Sequence, residues 1–292
     1  MSIDLHLHTQ ASDGTITADE LITLAAKEGL TAIAITDHDS TDSLQAGAAA
    51  ATRNNLTFIP GVELSASYSP DVSLHILGYG IDEDNKDLQR VLAENQKAWD
   101  KSEEDSIISL QKLDIKIDRD RHEYWKTCHQ EGGWPLLNVL KEMGLVTGVG
   151  DYFGKYFGYG KPAYITIEFV TPQEAIAAIK SAGGVPVLAH PGLYFEGVKK
   201  LITEPGFLSK IISWGIRGLE AIACGHSEEE INYLLTYCQT HDLLVTGGSD
   251  YHGGFAGRTL GLPEVDEAYL SPLLHEIKNL KSLVLAAEPY SR

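Results

Sequence analysis

The sequence predicts an α/β protein, either a barrel or a doubly wound sheet. Three observations carry this. Short apolar strands alternate with helices from the N-terminus onward. Most strands run into a polar, potentially ligating residue. Those polar residues include six of the chain's eleven histidines. In sheets built from β–α units, ligands gather at the carboxyl ends of the strands.

In the first strand Ile3, Leu5 and Leu7 alternate with Asp4, His6 and His8. Successive strand side chains point to opposite faces, so His6 and His8 share a face and are spaced to grip one metal ion. Asp13 lies just past the strand end. An isolated His-x-His is equally at home as two hydrogen-bonded histidines in a buried strand.

Thr17 to Glu20 reads as a capping box opening a helix with Leu21, Leu24 and Ala25 at helical spacing, stopped at Gly29. Thr31 to Thr36 is an apolar strand suited to burial on both faces, ending in Asp37-His38-Asp39. An alanine-rich helix from Asp42 to about Arg53 follows. Leu56 to Ile59 is a third strand, and Pro60-Gly61-Val62 leads to Glu63. The strand Val72 to Tyr79 carries His75.

The texture then changes. Residues 82–112 are polar and helix-prone, and 114–160 collect glycines and aromatics, among them Trp125, Trp134, Tyr152, Phe153 and Tyr159. We read 82–160 as an inserted, mainly helical subdomain able to form a lid on a barrel made of 1–81 and 161–292. Long barrel loops are the alternative.

Regular alternation resumes at Lys161. A helix runs from Thr171 to about Ala182, and the strand Val185 to Ala189 ends in His190. Residues 206–214 read as helix and Ile216 to Ala221 as strand. Ser227 to Glu230 caps a helix to about His241, and the strand Leu243 to Thr246 leads into Asp250-Tyr251-His252. A helix over Pro272 to Leu280 and a short strand, Ser282 to Leu285, close the chain.

Composition narrows the function. The net charge is −18, with 41 acidic against 23 basic residues, which excludes a broad nucleic-acid platform. An anionic substrate stays open, because bound cations reverse the local sign of a site. The absence of a twenty-residue apolar run predicts no membrane span. The start Met1-Ser2-Ile3-Asp4 has no basic or apolar leader character. Three cysteines, Cys128, Cys224 and Cys238, lack C-x-x-C spacing and cannot all pair, which fits a reducing cytoplasm.

His6, His8, Asp13, His38, Glu63, His75, His190, Asp250 and His252 sit on or just after strands. His122, His129, His241 and His275 lie elsewhere and read as surface or structural. Nine donors exceed the need of one ion and suit two or three, with Glu63 as a carboxylate bridge. Imidazole with carboxylate suits manganese, iron or zinc, with magnesium favoured by the carboxylates. Clustered divalent ions activate water and bind phosphoryl oxygens. No phosphate loop, dinucleotide fingerprint or G-x-S-x-G elbow is present, so metal-assisted hydrolysis is the expected chemistry.

Asp4-x-His6-x-His8-Thr9, Ser12-Asp13-Gly14, Thr36-Asp37-His38-Asp39, Gly61-Val62-Glu63, His75-Ile-Leu-Gly78, Ala189-His190-Pro191-Gly192 and Ser249-Asp250-Tyr251-His252-Gly253 together resemble the PHP (polymerase and histidinol phosphatase) family of metal-dependent phosphoesterases. The resemblance implies a distorted seven-stranded β/α barrel with a trinuclear centre and a metal-activated hydroxide as nucleophile. It places His6, His8, Glu63 and Asp250 on one ion, Glu63, His75 and His190 on a second, and Asp13, His38 and His252 on a third. It points to the branch of nucleoside 3′,5′-bisphosphate phosphatases and exonucleases that trim RNA 5′ ends, and so to a small phosphorylated substrate, a nucleotide or a short RNA 5′ end. Lys161, Ser12 and Arg258 become candidate phosphate contacts, and His226 a candidate proton donor. One departure stands out. Where that branch carries Arg-Pro-His in its insert, this chain has Trp134-Pro135-Leu136. A guanidinium fork is lost and an aromatic gained, so Trp134 becomes a candidate stacking surface. A non-catalytic metal-stabilised module is the alternative to an enzyme, and the complete ligand set speaks against it.

Overall fold

The structure, a computed structural model, describes residues 2–196 and 199–287. Eight strands form one curved sheet. In spatial order they are β10 (Val265–Asp266), β1 (Ser2–Leu7), β2 (Leu30–Ile35), β3 (Thr57–Ser69), β4 (Val72–Tyr79), β5 (Val185–Leu188), β8 (Gly218–Ala223) and β9 (Leu244–Gly248). A small hairpin, β6 (Phe195–Glu196) with β7 (Lys199–Lys200), stands apart. The sheet nearly closes on itself: Leu7 bridges Tyr251 in parallel, and His8 N–H donates to Tyr251 O at 2.9 Å. The result is a distorted barrel, because β4 runs antiparallel to both β3 and β5 while β1–β2–β3 and β5–β8–β9 pair in parallel.

Helices cover the outer face as the alternating pattern predicts. Helix α1 (Ala18–Lys27) starts at a complete Thr17/Glu20 capping box, and the same device opens α7 (Pro172–Ser181) at Thr171 and α9 (Glu228–His241) at Ser227. Leu7, Ile33 and Ile35 pack with Leu21, Ile22 and Ala25 of α1 and with Ala50 and Ala51 of α2 (Leu44–Asn54). Ala32, Ala34, Ile59, Leu77 and Val187 face the other way and form a second core, closed by Leu273 and Ile277 of α10 (Leu270–Ala287).

Residues 82–160 contain α3 (Lys86–Gln111), α4 (Arg119–Thr127), α5 (Pro135–Glu142), α6 (Val149–Tyr152) and a π-helical turn, Phe153–Phe157. They share a third hydrophobic core in which Ile107, Leu110, Leu136, Leu140, Tyr152 and Phe157 are buried. The remaining helix, α8 (Phe207–Ser213), lies between β7 and β8 in the chain.

Three expectations are corrected. Residues 282–285 are not a strand but part of α10. Nothing between Leu280 and Ser282 breaks the helix, and an apolar run without glycine or proline reads alike for both structures. The third strand does not stop at Pro60. It pairs with β2 up to Pro60 and with β4 from Gly61 on, so the proline, which has no N–H to give, sits where the partner changes. Glu63 therefore lies inside a long strand instead of after one, while His75 sits inside β4, as the sequence predicts. The strict alternation in β1 also fails. A bulge between Asp4 and Leu7 puts Ile3 and Leu5 in one core and Leu7 in the other.

Candidate metal centre

The bulge re-aims the first strand so that His6 and His8 both reach Glu63. His6 Nε2 is 2.9 Å from Glu63 Oε2, and His8 Nε2 is 3.2 Å from the same oxygen. His38 Nδ1 also lies 3.2 Å from Oε2, while His75 Nδ1 and His190 Nε2 each lie 3.0 Å from Glu63 Oε1. One fully buried carboxylate thus faces five imidazoles. Asp250 Oδ1 is 3.1 Å from His8 Nε2 and 3.5 Å from His6 Nε2. Asp13 Oδ1 is 3.3 Å from His252 Nε2. All nine residues singled out in the sequence come together, and three overlapping groups of donor atoms fall within 4.8 Å of one another: His6, His8, Glu63 and Asp250; His8, Asp13, His38 and His252; His38, Glu63 and His75.

The donors fit divalent ions on an observation independent of any resemblance. Both ring nitrogens of His8, Nδ1 of His38, Nδ1 of His190 and Oδ1 of Asp250 are buried without a hydrogen-bond partner. His8 Nε2 and Asp250 Oδ1 are close to each other but not aligned for a hydrogen bond. Buried polar atoms normally have partners, and an imidazole–carboxylate set with unused lone pairs suits a cation.

Electrostatics follow the same geometry. Burial opposes charge on Glu63, yet His6, His38 and His75 hold its carboxyl well below the usual range. Burial also opposes charge on His6, but Glu220 and Glu63 outweigh it and push the ring up to about 10. Burial lowers His38, His190 and His252. Asp13 is held low against its burial by His252, His38 and His8.

Backbone conformation aims several donors. His190 (φ 24°) and Asp250 (φ 53°) occupy positive-φ conformations that side chains other than glycine seldom adopt, as does Asp39 (φ 46°) beside His38. Gly248 permits the approach of β9 to β1; a Cβ there would meet His6 Cβ at 2.5 Å.

Four buried acids hold the donors without being candidate ligands themselves. Asp4 accepts from Ser249 N–H, Ser249 Oγ–H and Gly261 N–H, tying β1 to the loop of Asp250. Asp37 accepts from Thr9 N–H at 2.7 Å, Thr9 Oγ1–H at 2.9 Å and Ser12 Oγ–H at 2.7 Å, and so pins the loop that carries Asp13. Asp39 accepts from Ser65 N–H, Asn95 Nδ2–H and Trp99 Nε1–H. Glu220 reaches His6 and His190. The signal for Glu220 was a lone carboxylate inside the apolar run Gly218-Leu-Glu-Ala-Ile, but only the sheet order brings β8 behind His6.

The predicted substrate residues are engaged in different ways. Ser12 is committed to Asp37. Arg258 forms an ion pair with Asp250 Oδ2. His226 uses both ring nitrogens, Nδ1–H donating to Ala221 O at 3.0 Å and Nε2 accepting from Gly192 N–H at 2.9 Å. Trp134 is half-buried and stands edge-on to Tyr152 and Phe255, 5.0 and 6.4 Å between centroids. Its neighbour Gly133 donates N–H to Asp13 O at 2.7 Å, so residues 82–160 touch the centre through backbone. Lys161 is exposed on the turn that follows Gly158.

A family model described as the PHP domain matches residues 4–154. The chain belongs to the PHP domain family. A 3′,5′-nucleoside bisphosphate phosphatase of Chromobacterium violaceum is 30% identical over 282 residues, covering 95% of this chain and 96% of that protein. A 5′-3′ exoribonuclease, Rnm, of Salmonella typhimurium is 30% identical over 281 residues, covering 89% of each. A crystal structure of a proposed metal-dependent phosphoesterase of Bifidobacterium adolescentis superposes with a TM-score of 0.82 at 31% identity, covering 94% of this chain and 96% of that one. This PHP domain protein is a metal-dependent phosphoesterase, a hydrolase. Among the described residues no helix is long and apolar enough to cross a membrane.

Proposed function

We propose that this PHP domain protein is a phosphatase for small phosphate monoesters, with nucleotides as its substrate class, working at a centre of three divalent ions. The observation that carries the reading is the convergence of nine donor residues, with five imidazoles on Glu63 and several donors buried with unused lone pairs. His6, His8, Glu63 and Asp250 would hold one ion, Glu63, His75 and His190 a second, and Asp13, His38 and His252 a third. Manganese is the leading metal, with iron, zinc or magnesium according to supply. Such ions supply Lewis acidity that lowers the pKa of a water and offsets phosphoryl charge.

The chain's own groups do the positioning. His252 Nδ1–H donates to Asp250 O at 2.7 Å, which leaves Nε2 facing Asp13. Asp37 and Ser12 hold the loop of Asp13. Arg258, Lys161 and Trp134 are our proposed substrate contacts. We assign 82–160 as the subdomain that faces substrate, on a barrel of 1–81 and 161–292; the core that Ile107 and Leu110 of α3 share with α5 and Phe157, and the Gly133–Asp13 contact, support this. The free cysteines favour the cytoplasm.

The similarity to an exoribonuclease favours a second reading, stepwise removal of nucleotides from short RNA 5′ ends. One experiment separates them. The manganese-loaded protein is offered nucleoside monophosphates, nucleoside 3′,5′-bisphosphates and 5′-phosphorylated RNA oligomers. Phosphate release from nucleotides, with oligomers left intact, is the expected result. Progressive shortening of the oligomers would favour the second reading, and no release with metal bound would overturn both.

A further inference from the structure

We infer that Glu220 is a positioning residue of the metal centre, setting the tautomer of His6 and the backbone of His190 through its two carboxylate oxygens. The inference rests on the metal-centre reading above. Glu220 lies in the middle of β8, completely buried, and belongs to none of the candidate donor groups. Its Oε1 is 2.9 Å from His6 Nδ1, and its Oε2 accepts His190 N–H at 2.7 Å. The two contacts serve different donors. His6 presents Nε2 to Glu63 and Asp250, so its Nδ1 is the outward nitrogen. A carboxylate there accepts Nδ1–H and leaves the Nε2 lone pair for an ion. His190 sits at φ 24° and ψ 57°, a conformation that persists only when neighbours hold it. Its N–H is anchored by Glu220, and Leu193 N–H donates to its carbonyl at 2.9 Å. One side chain on β8 therefore aligns donors on β1 and after β5.

The chemistry needs two acceptors at once, which only a carboxylate offers. In Glu220→Gln the amide has one oxygen. If that oxygen takes His190 N–H, the NH₂ faces His6 Nδ1, which must then accept, and the ring proton moves to Nε2, where an ion would bind. If the oxygen faces His6, the NH₂ meets His190 N–H, donor against donor. Either orientation spoils one donor while leaving shape and volume almost unchanged.

The test measures affinity for zinc and manganese by chelator competition in the wild type, Glu220→Gln, Glu220→Asp and Leu234→Ala. Leu234 is a buried core residue of α9 and serves as a control for general loss of stability. Glu220→Gln should bind about 10–100-fold more weakly. Glu220→Asp, which keeps two acceptor oxygens, should recover part of that loss, and Leu234→Ala should bind like the wild type although less stable. Long-range ¹H–¹⁵N spectra of the zinc-loaded wild type should show His6 protonated at Nδ1, a pattern lost in Glu220→Gln. Wild-type affinity in Glu220→Gln, or an equal loss in Leu234→Ala, would overturn the inference. A wild-type chain that binds neither ion would overturn the metal-centre reading itself, and the inference with it.

Discussion

The indole Nε1–H of Trp99 donates to Asp39 Oδ2 at 2.9 Å, joining the longest helix of residues 82–160 to the residue beside His38. Asn95, one turn earlier on α3, completes the joint. It donates to Asp39 Oδ1 and to Ser65 O, each at 2.7 Å, and accepts Val170 N–H at 3.0 Å. Asp39, Ser65, Asn95 and Val170 are buried and Trp99 half-buried, and burial raises the Asp39 carboxyl despite its partners.

Asn95→Ala should therefore be among the more damaging single changes in this chain. It strands an acceptor on Ser65 and a donor on Val170, and takes from Asp39 Oδ1 one of its two donors, leaving only Ser65 N–H. Each orphan costs on the order of 1–3 kcal/mol, partly relieved by water entry, so we expect a loss of about 2–4 kcal/mol in urea unfolding. Trp99→Phe removes one bond only and should cost about 1 kcal/mol. A loss below 1 kcal/mol for Asn95→Ala would show that the network is not what holds α3 on the barrel.

Removing bound metal should destabilise the protein reversibly. A ligand present at a hundred times its Kd contributes about 2.7 kcal/mol, which corresponds to roughly 4–5 °C in Tm for a chain of this size. Scanning calorimetry before and after chelation, then after adding manganese back, checks this. An unchanged Tm with metal removal verified would contradict it.

Glu63→Gln should abolish catalysis while the chain stays folded. The carboxylate touches His6, His8, His38, His75 and His190, and among the described residues no other side chain serves so many donors. Changes one shell out already cost 10–100-fold, so kcat/KM should fall by more than about a hundredfold with metal content reduced. Circular dichroism and metal analysis of the same samples distinguish loss of the site from loss of the fold.

His226→Gln tests whether the histidine delivers a proton or holds a turn. Its two ring nitrogens are engaged by Ala221 O and Gly192 N–H, and glutamine also offers one donor and one acceptor. We expect kcat to fall less than tenfold and its pH profile to keep its shape. A fall of 10²–10⁴, the usual worth of a general acid, would return His226 to the chemistry.

The cysteines should react unequally. Cys238 is buried and its thiol is pushed up to about 12 by that burial, whereas Cys128 and Cys224 are partly exposed. A thiol raised this far stays protonated at pH 8 and is a poor nucleophile. Two equivalents of a thiol reagent should therefore label the native protein at pH 8 and the third only after unfolding; rapid labelling of all three would refute the packing of Cys238 against β9.

What the residue pattern makes legible is local. Capping boxes at Thr17, Thr171 and Ser227, and apolar runs that end in His38, His190 and Asp250, need only neighbours a few residues away, so they are legible one segment at a time. The nine donors could be collected because each sits on or just after an apolar strand. The tertiary structure decided everything that depends on distance across the sheet. A bulge invisible in the Ile3-Asp-Leu-His pattern turns His6 inward. Leu280 to Leu285 stays helical because only backbone continuity and the neighbouring core choose between helix and strand for an apolar run. His226 reaches Gly192 because the fold brings residues far apart in the chain within hydrogen-bond reach, and Arg258 turns back onto Asp250 through the conformation of the loop between them. Glu220 shows the difference most plainly: a lone acid in an apolar strand says that something must compensate it, and only the closed order of strands says that the partners are His6 and His190.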